Sequence, residues 1–454
     1  MQVGDILTVD ITSVGMDGEG VAKVDGVILF VSGTLVGETA KVQITQVKKS
    51  FCFAKVVKIL VSSIDRVDPP CKICFKCGGC ETLHIDYARQ LEIKRLHVKN
   101  CLERECKRDF TIDSTVASPR QIGYRNKIQV PISYQDGKLA GGYFAPNSHK
   151  VVPFCRQGES GSCLLNSDGM QAILDAFLDY MKEEGLTAYD ETNHKGLVRH
   201  LVIRKVDGKF AICVVINGSG LPNRNRLVSM LNTLGIEFAL YISPNTRRTN
   251  VIMGEKVITL YGDEALQGEA LGVKYLVSPQ SFMQINDGVR DMIYSKVGEI
   301  IKDSGIANVI DAYSGIGIMS NIFAKYADKV YAIEIVPQAI ANSKILAKLN
   351  GNDDKIINIC GDCAQELPKV VSRLDKSIVV LDPPRKGCDG AVLKSLLSAL
   401  PDKIIYISCN PATLARDVNI LLDKYEPVSI TPYDMFPNTK HIETLICLKR
   451  KQPK

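Results

Sequence analysis

Apolar and polar positions change rhythm three times along the chain. Up to about residue 60, short apolar runs alternate with polar positions: Ile6-Leu-Thr-Val-Asp-Ile11, Val27-Ile-Leu-Phe-Val31 and Ala40-Lys-Val-Gln-Ile-Thr45, punctuated by Gly15, Gly18, Gly20 and Gly33. Short strands with glycine turns predict an OB-like, five-stranded β-barrel over residues 1–60. Between 83 and 105, Tyr87, Leu91, Val98 and Leu102 fall at steps of four and seven. That spacing predicts a helix, with Arg89, Lys94, Arg95 and Lys99 on a solvated basic face. From 110 to 270 the pattern is strand-like, as in Ile128–Ile132, Leu201–Arg204, Phe210–Ile216 and Ala239–Ile242, and predicts a β-rich platform. From about 276 strands alternate with helices: Val309–Ile310, Val330–Ile333, Ile356–Ile359, Ile378–Leu381, Ile404–Ile407, Val428–Ile430 and Thr444–Leu448. Alternation of this kind predicts an α/β, doubly wound parallel sheet.

Three domains are therefore expected, at 1–60, 61–270 and 271–454, with the 83–105 helix a candidate to lie against the last. A length of 454 residues, 45% hydrophobic and 23% charged, suits a globular protein with sizeable cores. The N-terminus lacks a signal-peptide pattern, and no apolar run approaches the ~20 residues that span a bilayer. The expectation is a cytoplasmic protein with no membrane partner. A net charge of +6 permits a polyanionic partner without requiring one. Lys48, Lys49, Lys55 and Lys58 around Phe51 and Phe53 suit nucleic-acid backbone and bases, although a solvated strand face would look the same.

Fifteen cysteines are many for a chain in a reducing compartment, so clusters of them point to metal or catalysis. Cys71, Cys74, Cys77 and Cys80 fall within ten residues, a density no hydrophobic core requires. Thiolates suit iron–sulfur clusters or tetrahedral zinc. The spacing is not that of a bacterial ferredoxin, and it leaves the metal open. Cys155 and Cys163 follow the loop 141–149, and either is placed to complete the set.

In the last region the first strand ends in Asp311-Ala-Tyr-Ser-Gly-Ile-Gly317, where glycines let backbone approach a ligand at a helix N-terminus. Ser320 stands where a dinucleotide fingerprint has its third glycine. Glu334 ends the second strand, where an acid can bond ribose hydroxyls, and Asp362 follows the third, within reach of an adenine amino group. With no phosphate-loop lysine, the pattern suggests an adenosine cofactor. After the fourth strand comes Leu381-Asp-Pro-Pro-Arg-Lys-Gly387, a stiff loop suited to facing a ligand. After the fifth, Cys409 precedes Asn410-Pro411 at the rim where α/β sheets bind ligands. A buried, inert thiol is the ordinary alternative.

Together these features look like a Rossmann-like S-adenosylmethionine-dependent methyltransferase. Gln280-Ser-Phe-Met-Gln-Ile-Asn286, Asp311-Ala-Tyr-Ser-Gly315, Leu381-Asp-Pro-Pro-Arg-Lys-Gly387, Ser408-Cys-Asn-Pro411 and His441-Ile-Glu-Thr444 are similar to the RNA uracil-C5 methyltransferase family. Gly15-Met-Asp-Gly-Glu-Gly-Val-Ala-Lys23 and Phe30–Glu38 resemble the TRAM domain, an RNA-binding module. With the cysteine cluster, that start resembles the ribosomal RNA branch of the family, as opposed to the transfer RNA branch. The resemblance implies a [4Fe-4S] cluster on Cys71, Cys77, Cys80 and Cys155, with Cys74 extra. It implies that Gln284, Tyr313, Glu334, Asp362 and Asp382 line the S-adenosylmethionine site. Phe282 is a candidate to stack on a nucleotide, core packing being the alternative.

Carbon 5 of uracil is a poor nucleophile. A thiolate added at carbon 6 makes an enolate whose carbon 5 can attack a sulfonium methyl, and a base must then remove the carbon 5 proton. Cys409 is the expected nucleophile and Glu443 the expected base. The target uridine must be flipped out of its stack. The expectation is thus a monomeric RNA (uracil-C5-)-methyltransferase, acting on 23S ribosomal RNA, with transfer RNA as the alternative. An iron–sulfur electron carrier or radical enzyme and a non-catalytic RNA-binding scaffold are the readings from other classes.

Overall fold

The structure is a computed structural model, and it describes residues 1–15, 18–154 and 162–452. The N-terminal strands Ile6–Asp10, Ser13–Val14, Gly20–Val24, Val27–Ser32, Thr39–Val47 and Phe51–Val61 form one sheet. It has six strands where five were expected, the smallest being the two-residue Ser13–Val14. Alternate residues such as Val9, Leu29, Val31, Val42 and Ala54 fill its core. Phe30, Phe51 and Phe53 instead make an aromatic patch on the outer face, their ring centroids 5.4–5.7 Å apart.

The central sheet runs, from edge to edge, through Ile258–Tyr261, Phe238–Pro244, Lys209–Ile216, Val198–Val206, Lys127–Gln135, Lys138–Phe144 and Val151–Pro153. Helices Met170–Glu183 and Arg224–Asn232 cover one face, and the C-terminal region shares a core with the other through Val202, Cys213, Val215 and Tyr241. Burial on both faces explains why Lys209–Ile216 reads as an unbroken apolar run. Both helices were missed from the sequence. In the first, Met170, Ile173, Leu174, Phe177, Leu178 and Met181 bury one helical stripe, a period that the surrounding strand-like composition obscures.

In the C-terminal sheet five strands are parallel, in the spatial order Ile356–Cys360, Lys329–Glu334, Asn308–Ala312, Ile378–Leu381, Lys403–Ser408. The final strand departs from the expected all-parallel sheet. Glu443–Arg450 lies antiparallel between Lys403–Ser408 and the edge strand Tyr425–Tyr433. Its connection to that edge strand, residues 434–442, is shorter than the dozen or so residues a parallel crossover needs. As a result Glu443–Arg450 begins where the parallel strands end, with Ser408 opposite Thr444.

The predicted helix forms at Tyr87–Cys106, started by Asp86, whose side chain accepts from the Ala88 and Arg89 amides. It leaves the central sheet and packs on the C-terminal region: Val98, Cys101 and Leu102 share a core with Leu414, Val418 and Leu421. Lys94 is not on a solvated face. It is buried, with Nζ 2.5 Å from Asp434 Oδ1 and donating to the Phe436 carbonyl at 3.1 Å. Replacing Lys94 with Met strands a buried carboxylate. The expected loss is roughly 3–5 kcal/mol in urea unfolding, largely recovered when Asp434→Leu is added; an unchanged midpoint in the single variant would contradict this.

Candidate active site

Cys409 follows the Lys403–Ser408 strand directly, and Asn410 then caps the helix Pro411–Leu421, its Oδ1 accepting from the Ala412 amide at 3.0 Å. Because the final strand is antiparallel, Glu443 starts at this same rim. Asp382 ends the neighbouring strand. Three of the sequence-predicted residues are thus brought together. Glu443 is buried, and burial followed by the nearby Asp382 charge raises its carboxyl well above the usual range. Burial raises Asp382 as well. Cys409 is pushed up to about 11, by burial and then by Glu443 and Asp382, while Arg385 opposes the shift. The resting sulfur is therefore a thiol.

Arg385 follows the two prolines of the Asp-Pro-Pro-Arg turn, and nothing in the sequence alone marks a role for it. Its carbonyl accepts from Asn410 Nδ2 and Thr413 Oγ1 at 3.5 and 3.4 Å, and its Nη2 lies 3.4 Å from His441 Nδ1. Burial and the Arg385 cation lower His441 to about 4, which keeps its imidazole neutral. Two further residues were missed. Tyr406 donates to Asp417 Oδ2 at 2.6 Å, and the Cys388 amide donates to the same oxygen at 2.8 Å, which pins the end of the Asp382–Cys388 loop. At Gly387, with φ +79°, a Cβ would sit 2.7 Å from that oxygen. Only a search for buried acids under a proline loop would have signalled Asp417.

Farther along the same rim, Tyr313 adopts φ +69°, and its amide and that of Ser314 donate to the Ile333 carbonyl at 3.1 and 3.0 Å. Glu334 accepts from the Gly315 and Val336 amides at 3.1 and 2.9 Å. Gly317 has φ +85°, and a Cβ there would lie 2.2 Å from Ser343 Oγ. Asp362 caps the helix Cys363–Val371 through the Ala364 amide at 2.7 Å. Tyr313, Glu334, Asp362 and Asp382 therefore all stand at the carboxyl ends of consecutive parallel strands. Gln284 lies ahead of the helix Asp287–Ser304, its carbonyl accepting from Asn126 Nδ2 at 2.9 Å. From that helix Tyr294, unnoticed in the sequence, comes within electrostatic reach of Asp382, Asp311 and Glu443. Phe282 is 79% exposed, which removes the core-packing alternative.

Asp311 is wholly buried. Ser320 Oγ donates to its Oδ2 at 2.5 Å, and Oδ1 has no partner. Burial, with Asp382 and Glu334 adding repulsion, pushes it up to about 7 despite the serine.

The cysteine turn is compact: the Cys74 amide donates to the Cys71 carbonyl at 3.1 Å and the Gly79 amide to Cys77 Sγ at 3.4 Å. Burial, with Cys71 adding to it, raises Cys74 to about 11. Burial and then Cys163 raise Cys80, and Cys163 is raised by burial with Cys77 contributing. The Arg125 guanidinium opposes the rise at Cys77, Cys80 and Cys163, and donates to the Gly79 carbonyl at 3.2 Å. Cys163 is thus the distant thiol placed beside the turn. Cys155, the expected fourth ligand, lies outside the described residues. Among the described residues, no three His, Cys, Asp or Glu side chains are set to hold a metal ion.

Residues 230–451 match the family model for tRNA (uracil-5-)-methyltransferase, and residues 1–57 match the TRAM domain. An uncharacterized RNA methyltransferase of Halalkalibacterium halodurans is 36% identical over 453 residues, 98% of this chain and 97% of the relative. One from Clostridium tetani is 35% identical over 444 residues, 96% and 95% of the two chains. The crystal structure of Pyrococcus abyssi tRNA (uracil-54, C5)-methyltransferase in complex with S-adenosyl-L-homocysteine matches with a TM-score of 0.77 at 25% identity, over 97% of this chain and 100% of that one. The C-terminal sheet is accordingly a Rossmann-like methyltransferase fold joined to a TRAM barrel. The chain is an RNA methyltransferase and belongs to the RNA uracil-5 methyltransferase family.

Asp311 yields a test of the site's electrostatics. Its native pKa is raised, so the unfolded chain ionises first, and stability is lost as pH rises from about 4 to about 7. The full penalty is roughly 4 kcal/mol. Asp311→Asn should match wild type in urea at pH 4 and exceed it at pH 8; parallel pH dependences would exclude the strained carboxylate.

Proposed function

We propose that this protein transfers a methyl group from S-adenosyl-L-methionine to C5 of a uridine in 23S ribosomal RNA, through a covalent bond between Cys409 and C6. The observation that carries the proposal is the convergence of Cys409, Asp382 and Glu443 at one sheet rim, produced by the register Ser408 opposite Thr444. The cofactor supplies an electrophilic sulfonium methyl. Tyr313, Glu334, Asp362 and Asp382 hold it, with Gln284 contributing from the segment beside Phe282. The partnerless, buried Asp311 Oδ1 and Ser314 Oγ fit a ligand with hydrogen-bond donors at this end of the sheet.

Cys409 bonds to C6 as thiolate, its proton leaving to solvent, and Arg385 is the nearby cation that favours the ionised sulfur. The C5–C6 electron pair shifts toward O4, and C5 would then form a bond to the methyl carbon as the carbon–sulfur bond breaks, its pair staying on the departing thioether sulfur. Glu443 then removes the C5 proton, the double bond re-forms, and the sulfur leaves with its bonding pair. A carboxylate whose proton affinity burial has raised is a more effective base for this step than an ordinary one. Phe282, exposed beside Gln284, is the stacking surface for a flipped or neighbouring base.

We assign the cysteine turn to a [4Fe-4S] cluster with a structural role. Cys77, Cys80 and Cys163 share one electrostatic neighbourhood with Arg125, whose charge offsets bound thiolates, and Cys71 and Cys74 lie within electrostatic reach of Cys77. Their chemistry fits such a group. Cys71, Cys77 and Cys80 are its ligands, and Cys163 is preferred to Cys155 as the fourth. Iron content and visible absorbance should be lost in Cys163→Ala and kept in Cys155→Ala; the reverse pattern would restore Cys155.

A second reading has its own support. The Pyrococcus abyssi enzyme, named for a tRNA uracil, matches this chain from end to end, so an N-terminal barrel does not by itself select ribosomal RNA. Mapping 5-methyluridine in both RNA classes of a deletion strain decides: loss from transfer RNA alone would establish the second reading.

The mechanism is tested with RNA carrying 5-fluorouridine, which cannot release its C5 substituent as a proton. A methylated adduct should be trapped on Cys409. Cys409→Ala should lose both adduct and methylation, and Glu443→Gln should slow turnover ~10²–10⁴-fold while still forming the adduct. Methylation by Cys409→Ala would refute covalent catalysis.

A further inference from the structure

The segment that delivers Glu443 to the rim is also the segment to which the cysteine turn is tied. Asn438, in the connection 434–442, is 5% exposed and has φ +66°. Its carbonyl accepts from the Glu81 and Thr82 amides at 3.1 and 3.2 Å, the two residues that follow Cys80. Its own amide donates to Gln90 Oε1 at 3.1 Å, its Oδ1 accepts from Gln90 Nε2 at 3.2 Å, and its Nδ2 donates to the Gln121 carbonyl at 2.8 Å. A second tie runs in parallel. Tyr124 Oη donates to the Pro437 carbonyl at 3.0 Å, and the adjacent Arg125 holds the Gly79 carbonyl. Downstream, the Thr439 hydroxyl donates to the Phe436 carbonyl at 2.8 Å and accepts from the His441 amide at 3.2 Å, two residues before Glu443.

A surface loop with unused polar groups would sample many conformations. This one spends every polar atom of one asparagine on partners from the cysteine turn, the Tyr87–Cys106 helix and the Gln121 segment. We propose that Asn438 is a positioning residue: it fixes the Asp434–Ile442 connection against the cysteine turn, and so sets where the Glu443 carboxylate stands relative to Cys409. The cysteine turn thereby acts on the chemistry without touching substrate. This rests on the placement of Glu443 beside Cys409 described above, and its test is built to fail separately.

The test uses the full-length protein, purified anaerobically, and follows iodoacetamide alkylation of Cys409 by peptide mass spectrometry as a function of pH. Glu443→Gln, which removes the carboxylate charge beside the thiol, should speed alkylation of Cys409 at pH 8 several-fold and is the reference. Asn438→Gly keeps the positive φ and the backbone bonds but removes the side-chain ties; Gln90→Met removes them from the opposite side. Both should move the Cys409 profile in the same direction as Glu443→Gln and lower kcat with KM for RNA little changed. Cys80→Ser should do the same, and combining it with Asn438→Gly should add little, since both act through one connection. A merely structural role predicts a lower Tm with the Cys409 profile unmoved. If Glu443→Gln shifts the profile while folded Asn438→Gly and Gln90→Met leave it at wild type, the positioning role is overturned and the catalytic assignment stands. If Glu443→Gln itself leaves the profile unchanged, both fall.

Discussion

One strand direction governs the site. Had the final strand run parallel to its neighbours, its first residue would lie at the opposite edge of the sheet, about 20 Å from Cys409 at ~3.3 Å per residue. Inserted antiparallel, Glu443–Arg450 places its beginning beside the end of Lys403–Ser408. The direction is forced by the shortness of residues 434–442, and it is kept because those residues are held on one side by Lys94 and Gln90 and on the other by the cysteine turn. The edge strand Tyr425–Tyr433 is in turn covered: the Asp113 and Val116 amides donate to the Ile430 and Pro432 carbonyls at 3.0 and 2.8 Å. A sheet edge left bare there would be open to pairing with other chains.

The convergence has an electrostatic cost. Asp311, Asp382 and Glu443 gather in a poorly hydrated space, and each is raised by burial and two of them by their neighbours. Carboxylates so placed weaken the fold at neutral pH, while they supply protonation states that ordinary surface acids lack. The rim tolerates this because its scaffolding is stiff. Tyr406 and Asp417 lock the proline loop from beneath, and Asn410 fastens Cys409's flank to the Arg385 carbonyl.

The parts of this architecture legible in the sequence were those whose signal is local. Strands such as Ile378–Leu381 and Lys403–Ser408 are continuous apolar runs, and the Asp-Pro-Pro and Ser-Cys-Asn-Pro turns advertise the rim. What stayed hidden depends on partners distant along the chain. Lys94 looks like any solvated lysine until Asp434, 340 residues away, is folded against it. Asn438 and Asp417 carry no motif of their own. The antiparallel final strand has the same composition as a parallel one, and only the length of the preceding connection distinguishes the two. The helix Met170–Glu183 had a readable period, but it sat in a stretch where strands dominate.

The helix Tyr87–Cys106 and the strand-like segment behind it belong, by packing, to a module whose sheet begins two hundred residues later. Val98, Leu102, Phe110 and Ile112 lie in the same core as Leu414, Val418 and Ile430. During synthesis from the ribosome this apolar surface emerges long before the residues that will cover it, and its contacts are among the longest-range in the chain. The stretch matching the uracil methyltransferase model is therefore covered by residues from far earlier in the chain: severed from residues 87–116, it would present an uncovered helix face and an open sheet edge. Methyl transfer is in this sense a property of the completed chain.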